Sequence, residues 1–497
     1  MATTRAFMPR STPPETTRAV PGPVRDGFLD ALRLLVIALV VLQHWTLPVL
    51  DSTRGTLAFG SVLDVPGAWV LTWVVQVMPL IFFVGGAANA ISSRAARRRG
   101  QSGSDWLARR VRRLVWPVIP LAAVWIPLTY LLVAAGVPED AVRGGAQAAG
   151  MVLWFLAAYL MVVVLAPTLL RWDERAGWWV CVGLLAGVVA VDLARLATGV
   201  AEIGYLNVAL VWVALQQLGM RYASGALSRR VAAALAVGGW ATAATAVLVG
   251  GYSPNMTGVF DTAASNMNPP TLALAALGVG QVGLAVLARE HINAWGRRPA
   301  VAYLLTWAPP RLMTVYLWHL LPMAALSAVL VLGAGLATPE PFTAGWLVWS
   351  AAGVAVMALV LRPLVWIAER FEQPPNLPYA AQGIVRVCAA ALLAGAGLLA
   401  LTITGLGPAP VPIAGLAAIC GAFALTCGCR GDRGGTPAVR PDGLTTHDAG
   451  TVWVNTHHEM TTGAMPFEGF KQSGAGGEGG PEALDAFTKQ KAVLVAL

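Results

Sequence analysis

The chain has 497 residues, of which 57% are hydrophobic and 12% charged. A soluble domain carries about 25% charged residues, so the composition excludes a soluble enzyme and points to a polytopic membrane protein. The net charge of +9 is not a nucleic-acid footprint, because the arginines fall in short segments between apolar runs.

Residues 1–27 bear Pro and Arg and are expected to form a cytoplasmic N-terminal segment. No small-residue cleavage site follows the first apolar run, which therefore reads as a membrane helix and start-transfer anchor. That run is Phe28–Leu50, FLDALRLLVIALVVLQHWTLPVL. It is long enough to cross a bilayer, yet it carries Asp30, Arg33 and His44. An ionisable group inside a spanning helix costs about 2.5 kcal/mol or more, which makes each one a functional candidate. Eleven helical steps from Arg33 to His44 make about three turns plus 20° and a rise of roughly 16 Å. The two side chains therefore share a face, one near a membrane surface and one deep. Asp30 lies one turn from Arg33 on that face, where a carboxylate can pair with the guanidinium.

Further runs long enough to span lie at 68–92, 114–136, 151–170, 177–198, 203–220, 231–250, 271–288, 312–334, 344–368, 380–402 and 411–427. Arg386 sits near the start of the penultimate run, where it can snorkel, and the last run is short enough to be re-entrant. The fold class predicted is an all-α polytopic membrane protein, a bundle of about 10–12 transmembrane helices. With the N-terminus inside, the inner segments hold nearly all the arginines, eight of them between Arg94 and Arg113, and the outer loops hold Arg54 and Arg143. The bias predicts a cytoplasmic N-terminus, an even number of spans and a multi-pass protein of the inner or plasma membrane. The five cysteines are odd in number and three lie in apolar runs, so no disulfide framework is expected. Cys427-Gly-Cys429 reads as two reduced juxtamembrane thiols, and no metal site is expected.

Four stretches accompany the Arg-x10-His helix in order: MPLIFFVGGAANA (78–90), RRVRRLVWPVIP (109–120), LWFLAAYL (153–160) and YLWHLLP (316–322). Together they resemble the membrane-bound acyltransferase 3 family over about residues 24–427. The resemblance implies transfer of an acyl group, typically from acyl-CoA as co-substrate with no other cofactor, onto a hydroxyl of a carbohydrate, lipid or other acceptor. A transferase of this kind needs a base for the hydroxyl proton, donors for the oxyanion and a grip on the acyl donor. His44 is the candidate base; its bland alternative is a packed histidine bonded to a backbone carbonyl. Arg33 can bind a phosphate or the donor carbonyl, or simply snorkel beside Asp30. The 94–113 arginines can receive CoA phosphates, though topology alone explains them. His319, with Tyr316 one turn away, reads either as a second proton carrier or as a bundle-interior histidine. Trp154 matches a family motif and is otherwise a packing residue. Asn266, Asn268 and Thr271, around Pro269-Pro270 in the long outer loop 251–270, are candidate acceptor contacts or ordinary helix-capping chemistry. Asp192 and Arg195 read as a structural pair.

Composition changes near residue 430. The lysines are Lys471, Lys489 and Lys491, following a polar linker over 428–448. Residues 449–497 then resemble the C-terminal end of aldehyde dehydrogenases, most densely in PFEGFKQSGAGGEGG, with Glu468 and Gly477 departing from the usual Gly and Arg. No dinucleotide fold precedes the segment and no Cys follows residue 429, so a short α+β-like, non-catalytic fragment is expected. Two other functions stand beside acyl transfer: a transporter or flippase for a lipid-linked or acylated substrate, which lacks the internal repeat such proteins usually show, and an inactive fusion product.

Overall fold

In lipid each backbone N–H must find its carbonyl within the segment, so apolar runs of this length fold as helices. The computed structural model describes residues 26–51, 58–257, 265–375, 383–427, 467–468 and 477–478. The linker, nearly all of the N-terminal segment and of the 449–497 tail, and residues 258–264 of the outer loop lie outside the described residues. The chain divides into two units, Met1–Gly428 and Cys429–Leu497.

In the first unit, Asp26 starts α1 (Gly27–Thr46), accepting a hydrogen bond from Phe28 N at 3.1 Å. The same carboxylate accepts from the Tyr222 hydroxyl at 2.8 Å. After α1, Pro48 opens a hairpin in which β1 (Pro48–Asp51) pairs antiparallel with β2 (Ala58–Ser61), Pro48 opposite Ser61. The bundle then runs through α2 (Trp69–Val75), α3 (Met78–Arg98), α4 (Gly103–Val115), α5 (Val118–Ala134), α6 (Glu139–Met151), α7 (Leu153–Ala176), α8 (Trp178–Thr198), α9 (Leu206–Ala223) and α10 (Arg229–Leu248). It continues with α11 (Leu272–Leu287), α12 (Arg289–Gly296), α13 (Pro299–Trp307), α14 (Leu312–Trp318), α15 (Leu320–Ser327), a π-helical stretch (Ala328–Gly333), α16 (Ala344–Ala368), α17 (Ile384–Thr404) and α18 (Pro410–Leu425).

Proline places several of the breaks. Pro117 follows α4, Pro309-Pro310 separates α13 from α14, and Pro322 lies just beyond the α14–α15 break. Pro322 has no N–H, so the carbonyl four residues back loses its donor and the helix interrupts there. Among the described residues ten helical stretches are long and apolar enough to cross a membrane. The bent pair α11–α12 makes an eleventh if counted as one span, and α18 is a shorter apolar helix. These correspond to the twelve apolar runs of the sequence, and the chain is an all-α polytopic membrane protein.

Close packing rests on small residues where helices cross. A Cβ at Gly86 would sit 1.9 Å from the Gln216 carbonyl oxygen, and one at Gly219 would sit 2.0 Å from that of Phe83. The α3–α9 crossing therefore requires glycine on both sides, as close backbone approach does in membranes generally. Buried amides cross the same interface: Asn89 donates to Gln216, which donates to the Val162 carbonyl at 2.8 Å. Below them Phe82 stacks on Trp212 with centroids 4.6 Å apart, and Phe155 meets Phe82 at 5.5 Å and Tyr316 at 5.4 Å. This aromatic core joins α3, α7, α9 and α14. In the second unit, β3 (Phe467–Glu468) pairs antiparallel with β4 (Gly477–Glu478).

Candidate active site

His44 and His319 meet. His44 Nδ1 lies 2.8 Å from His319 Nε2, and His319 Nδ1 lies 2.6 Å from the Tyr316 carbonyl oxygen. A carbonyl only accepts, so Nδ1 of His319 carries a proton, and Nε2 of the neutral ring is an acceptor. Nδ1 of His44 must then be the donor. With both rings neutral, the lone pair of His44 is left on Nε2, so the string of bonds assigns both tautomers. The helix break at His319 supplies the geometry: its carbonyl accepts from Trp45 Nε1 at 2.8 Å, next in sequence to His44. His319 is fully buried and His44 only partly so.

Arg33 lines a cleft of about 220 Å³ whose walls also carry Arg110, Arg113, Tyr159, Tyr316 and Glu372. Ile37, one turn beyond Arg33 on α1, lines it too. From Ile37 to His44 is seven residues, about 10.5 Å of rise, and from Tyr316 to His319 is three, about 4.5 Å. Both walls of the arginine-lined cleft thus lead toward the histidine pair. The Tyr316 hydroxyl donates to the Val152 carbonyl at 2.6 Å, which fixes that wall. Of the 94–113 arginines only Arg110 and Arg113 line the cleft; Arg97 pairs with Glu174, and Arg112 donates to the Pro375 carbonyl.

Glu372 faces these arginines and no sequence signal singled it out. A carboxylate just past an apolar run looks like any loop residue, Glu369 included. The structure shows it buried, accepting hydrogen bonds from the backbone N of Thr314 at 3.0 Å and from the Thr314 hydroxyl. With the Arg311–Glu369 ion pair it clamps the end of α16 onto the start of α14. Burial pushes its carboxyl above the usual carboxylate range, against the Thr314 hydrogen bonds and the Arg113 charge.

The remaining candidates lie elsewhere. Arg33 lines the cleft and Asp30 does not. Trp154 packs against Trp212 at 5.8 Å and Phe155 at 6.4 Å, in the aromatic core. Asn266 and Thr271 are buried and their polar groups are used within the loop. Asn266 Nδ2 donates to the carbonyls of Ser253 and Asn255, and its Oδ1 accepts from Thr271 at 2.8 Å. Asn268 is exposed beside them. The loop chemistry is that of a staple. Asp192 is another: it accepts from Asn207 and Tyr252 and caps α11 through Leu272 N at 2.8 Å, rather than pairing with Arg195.

A family model described as an acyltransferase domain, of the acyltransferase 3 type, matches residues 26–367, most of the chain. The chain belongs to the acyltransferase 3 family. The match contains Arg33, His44, His319 and the arginines of the cleft. Glu372 falls just beyond it. Residues 444–493 match a model of the aldehyde dehydrogenase family. Over 49 residues there the chain is 54% identical to the mitochondrial aldehyde dehydrogenase of Leishmania tarentolae and 47% identical to the phenylacetaldehyde dehydrogenase of Pseudomonas fluorescens. Over 50 residues it is 44% identical to betaine aldehyde dehydrogenase 2 of Rhizobium meliloti. Each match covers 10% of this chain and 10% of the relative, so the chain spans about a tenth of the length of the curated relatives it matches. No solved structure matches the chain.

Proposed function

We propose that this acyltransferase 3 family member is an integral membrane O-acyltransferase, moving an acyl group from acyl-CoA to a hydroxyl of a carbohydrate, lipid or small-molecule acceptor. The observation that carries the reading is the His44–His319 pair, which lies further along the two helices whose Ile37 and Tyr316 line an arginine-bearing cleft. Arg33, Arg110 and Arg113 bind the anionic phosphates of the donor, with guanidinium forks suited to bidentate contact. The thioester end of the donor lies toward the histidines. The acceptor hydroxyl gives its proton to His44 Nε2 as its oxygen attacks the thioester carbonyl. The tetrahedral intermediate then expels the CoA thiolate, which takes that proton back from Nε2. Throughout, His44 Nδ1–H remains on His319 Nε2, so His319 positions the base and stabilises its imidazolium. The reaction so written uses acyl-CoA as co-substrate and no other cofactor. In this reading the N-terminus and Arg33 lie toward the cytoplasmic side, where acyl-CoA is available, and His44 in the outer half of the membrane, an orientation the arginine bias supports.

The test is transfer of label from [14C]acetyl-CoA to a hydroxyl acceptor by the full chain purified into nanodiscs. His44-dependent transfer supports the proposal; equal label incorporation with and without His44 overturns it. A pH dependence follows from Glu372. Its ionisation adds a negative charge to a cleft that must hold an anion. Donor affinity is therefore expected to be higher below the raised pKa of this carboxyl and to fall as pH climbs through it. Glu372→Gln should lower the donor KM above that pH and flatten the dependence. A KM–pH curve unchanged by Glu372→Gln would detach this carboxyl from donor binding.

The aldehyde dehydrogenase-like tail enters none of these steps. Some fifty residues cannot bury much core, and a lone pair of strands is marginal in water. Truncation after Arg430 is expected to leave membrane level and acyl transfer unchanged. The full chain should show no NAD(P)-dependent aldehyde oxidation. Loss of transfer or of assembly on truncation would make the tail a working part.

A further inference from the structure

A second cavity, of about 230 Å³, lies between α15 with its π-helical continuation and the first half of α16. Its walls are largely apolar, with Met323, Leu330, Val356 and Met357 among them and the hydroxyls of Ser327 and Ser350 interspersed. Trp45 lines it. The Trp45 indole donates to the carbonyl of His319, whose ring hydrogen-bonds His44. Tyr316, which accepts from the same His319 ring, lines the arginine cleft. Each cavity thus has one lining residue hydrogen-bonded to His319, the two share no lining residue, and neither His44 nor His319 lines either of them.

Four observations bear on what the second cavity takes. It lies within two membrane-spanning stretches, Pro299–Val331 and Ala344–Phe371. Val356 of α16 lines it and is 44% exposed, as a residue at a lateral opening of a membrane-spanning helix would be. At the other end it is closed by the hairpin: Leu50 N donates to Thr338 Oγ1 at 3.0 Å and Thr338 N to the Leu50 carbonyl at 2.9 Å, and both residues line the cavity. The π-helical stretch Ala328–Gly333 contributes Leu330 and Val331 to the wall, and π turns are frequent at functional sites.

We infer that this cavity holds the hydrocarbon chain of a lipid-anchored alcohol, which enters laterally from the bilayer and presents its hydroxyl past Trp45 to His44. This deepens the acyl-transfer reading and rests on it: the donor occupies the arginine cleft on one side of His319 and the acceptor's chain the apolar cavity on the other. The donor's own acyl chain is the competing occupant.

The experiment compares methyl, hexyl and dodecyl β-glucosides as acceptors of [14C]acetyl-CoA in nanodiscs, below their micellar concentrations. The dodecyl to methyl ratio of kcat/KM is expected to exceed tenfold, because each buried methylene favours binding. Gly353 lines the cavity, and the nearest atom to a Cβ there is the tip of Met357 at 3.7 Å, so a larger side chain can grow into the space. Gly353→Leu should bring the ratio close to one. A ratio is unaffected by the fraction of protein that folds, and partition of the glucoside into the bilayer is common to both proteins. A wild-type ratio near one overturns the inference. So does a ratio that Gly353→Leu leaves intact, or a Gly353→Leu effect confined to the chain length of the acyl-CoA. If no acceptor is labelled in a His44-dependent way, the acyl-transfer reading fails by itself. The cavity is then judged by a diazirine-bearing dodecyl glucoside. Crosslinks at 323–331 and 349–357, competed by dodecyl but not methyl glucoside and lost in Gly353→Leu, support it; crosslinks without that competition overturn it.

Discussion

His44→Ala is expected to lower kcat for acyl transfer by about 100-fold or more, the range a positioned general base contributes. Membrane level and donor KM should stay close to wild type, because His44 lies beyond the arginine cleft. His319→Ala should also lower kcat with little change in KM. Without it, Nδ1–H of His44 has no acceptor and the imidazolium no partner. His319→Gln places an amide oxygen near the position of Nε2 and should recover part of the loss. A histidine that served packing alone would show no such rescue by Gln. The double variant should be no slower than His44→Ala, since residues acting as a unit are not additive. A His44→Ala protein retaining more than about a tenth of the wild-type rate would remove His44 from the role of general base.

Arg33→Lys is expected to raise the donor KM by about tenfold or more. Hydrogen bonds to charged groups contribute about 1.5–3 kcal/mol, and each 1.4 kcal/mol is a factor of ten. An ammonium keeps the charge but not the planar fork. The other two cleft arginines, Arg110 and Arg113, remain, so the effect should fall mainly on KM. The same KM should rise with ionic strength, as a contact between an anion and a partly exposed cation requires. An Arg33→Lys protein with unchanged KM and kcat would reduce Arg33 to a residue that orients the helix in the membrane.

Helical periodicity made half of the candidate site legible beforehand. Arg33 and His44 sit on one face of α1 because eleven residues are close to a whole number of turns, and the structure keeps that relation. Tyr316 and His319 were legible as neighbours on one helix for the same reason. Their long-range partners were not. The break at His319 turns its carbonyl to Trp45 and its ring to His44, a long-range meeting that no local spacing encodes. Asn266 and Thr271 mark the opposite case. Their polarity invited a ligand, but within the folded loop their groups are consumed by Ser253, Asn255 and each other.

Composition and apolar run length determined that this chain is a bundle of membrane-spanning helices, since lipid offers the backbone no other partner. Arginine placement and the Arg-x10-His spacing then singled out one face of α1. Only the tertiary structure decided that His319 closes onto His44, and that Glu372 comes back to face Arg110 and Arg113. It alone linked an arginine cleft and an apolar cavity to His319, through Tyr316 and Trp45. These are contacts between helices distant in sequence, and they are selected by packing at glycine crossings and proline breaks whose partners a single helix does not specify.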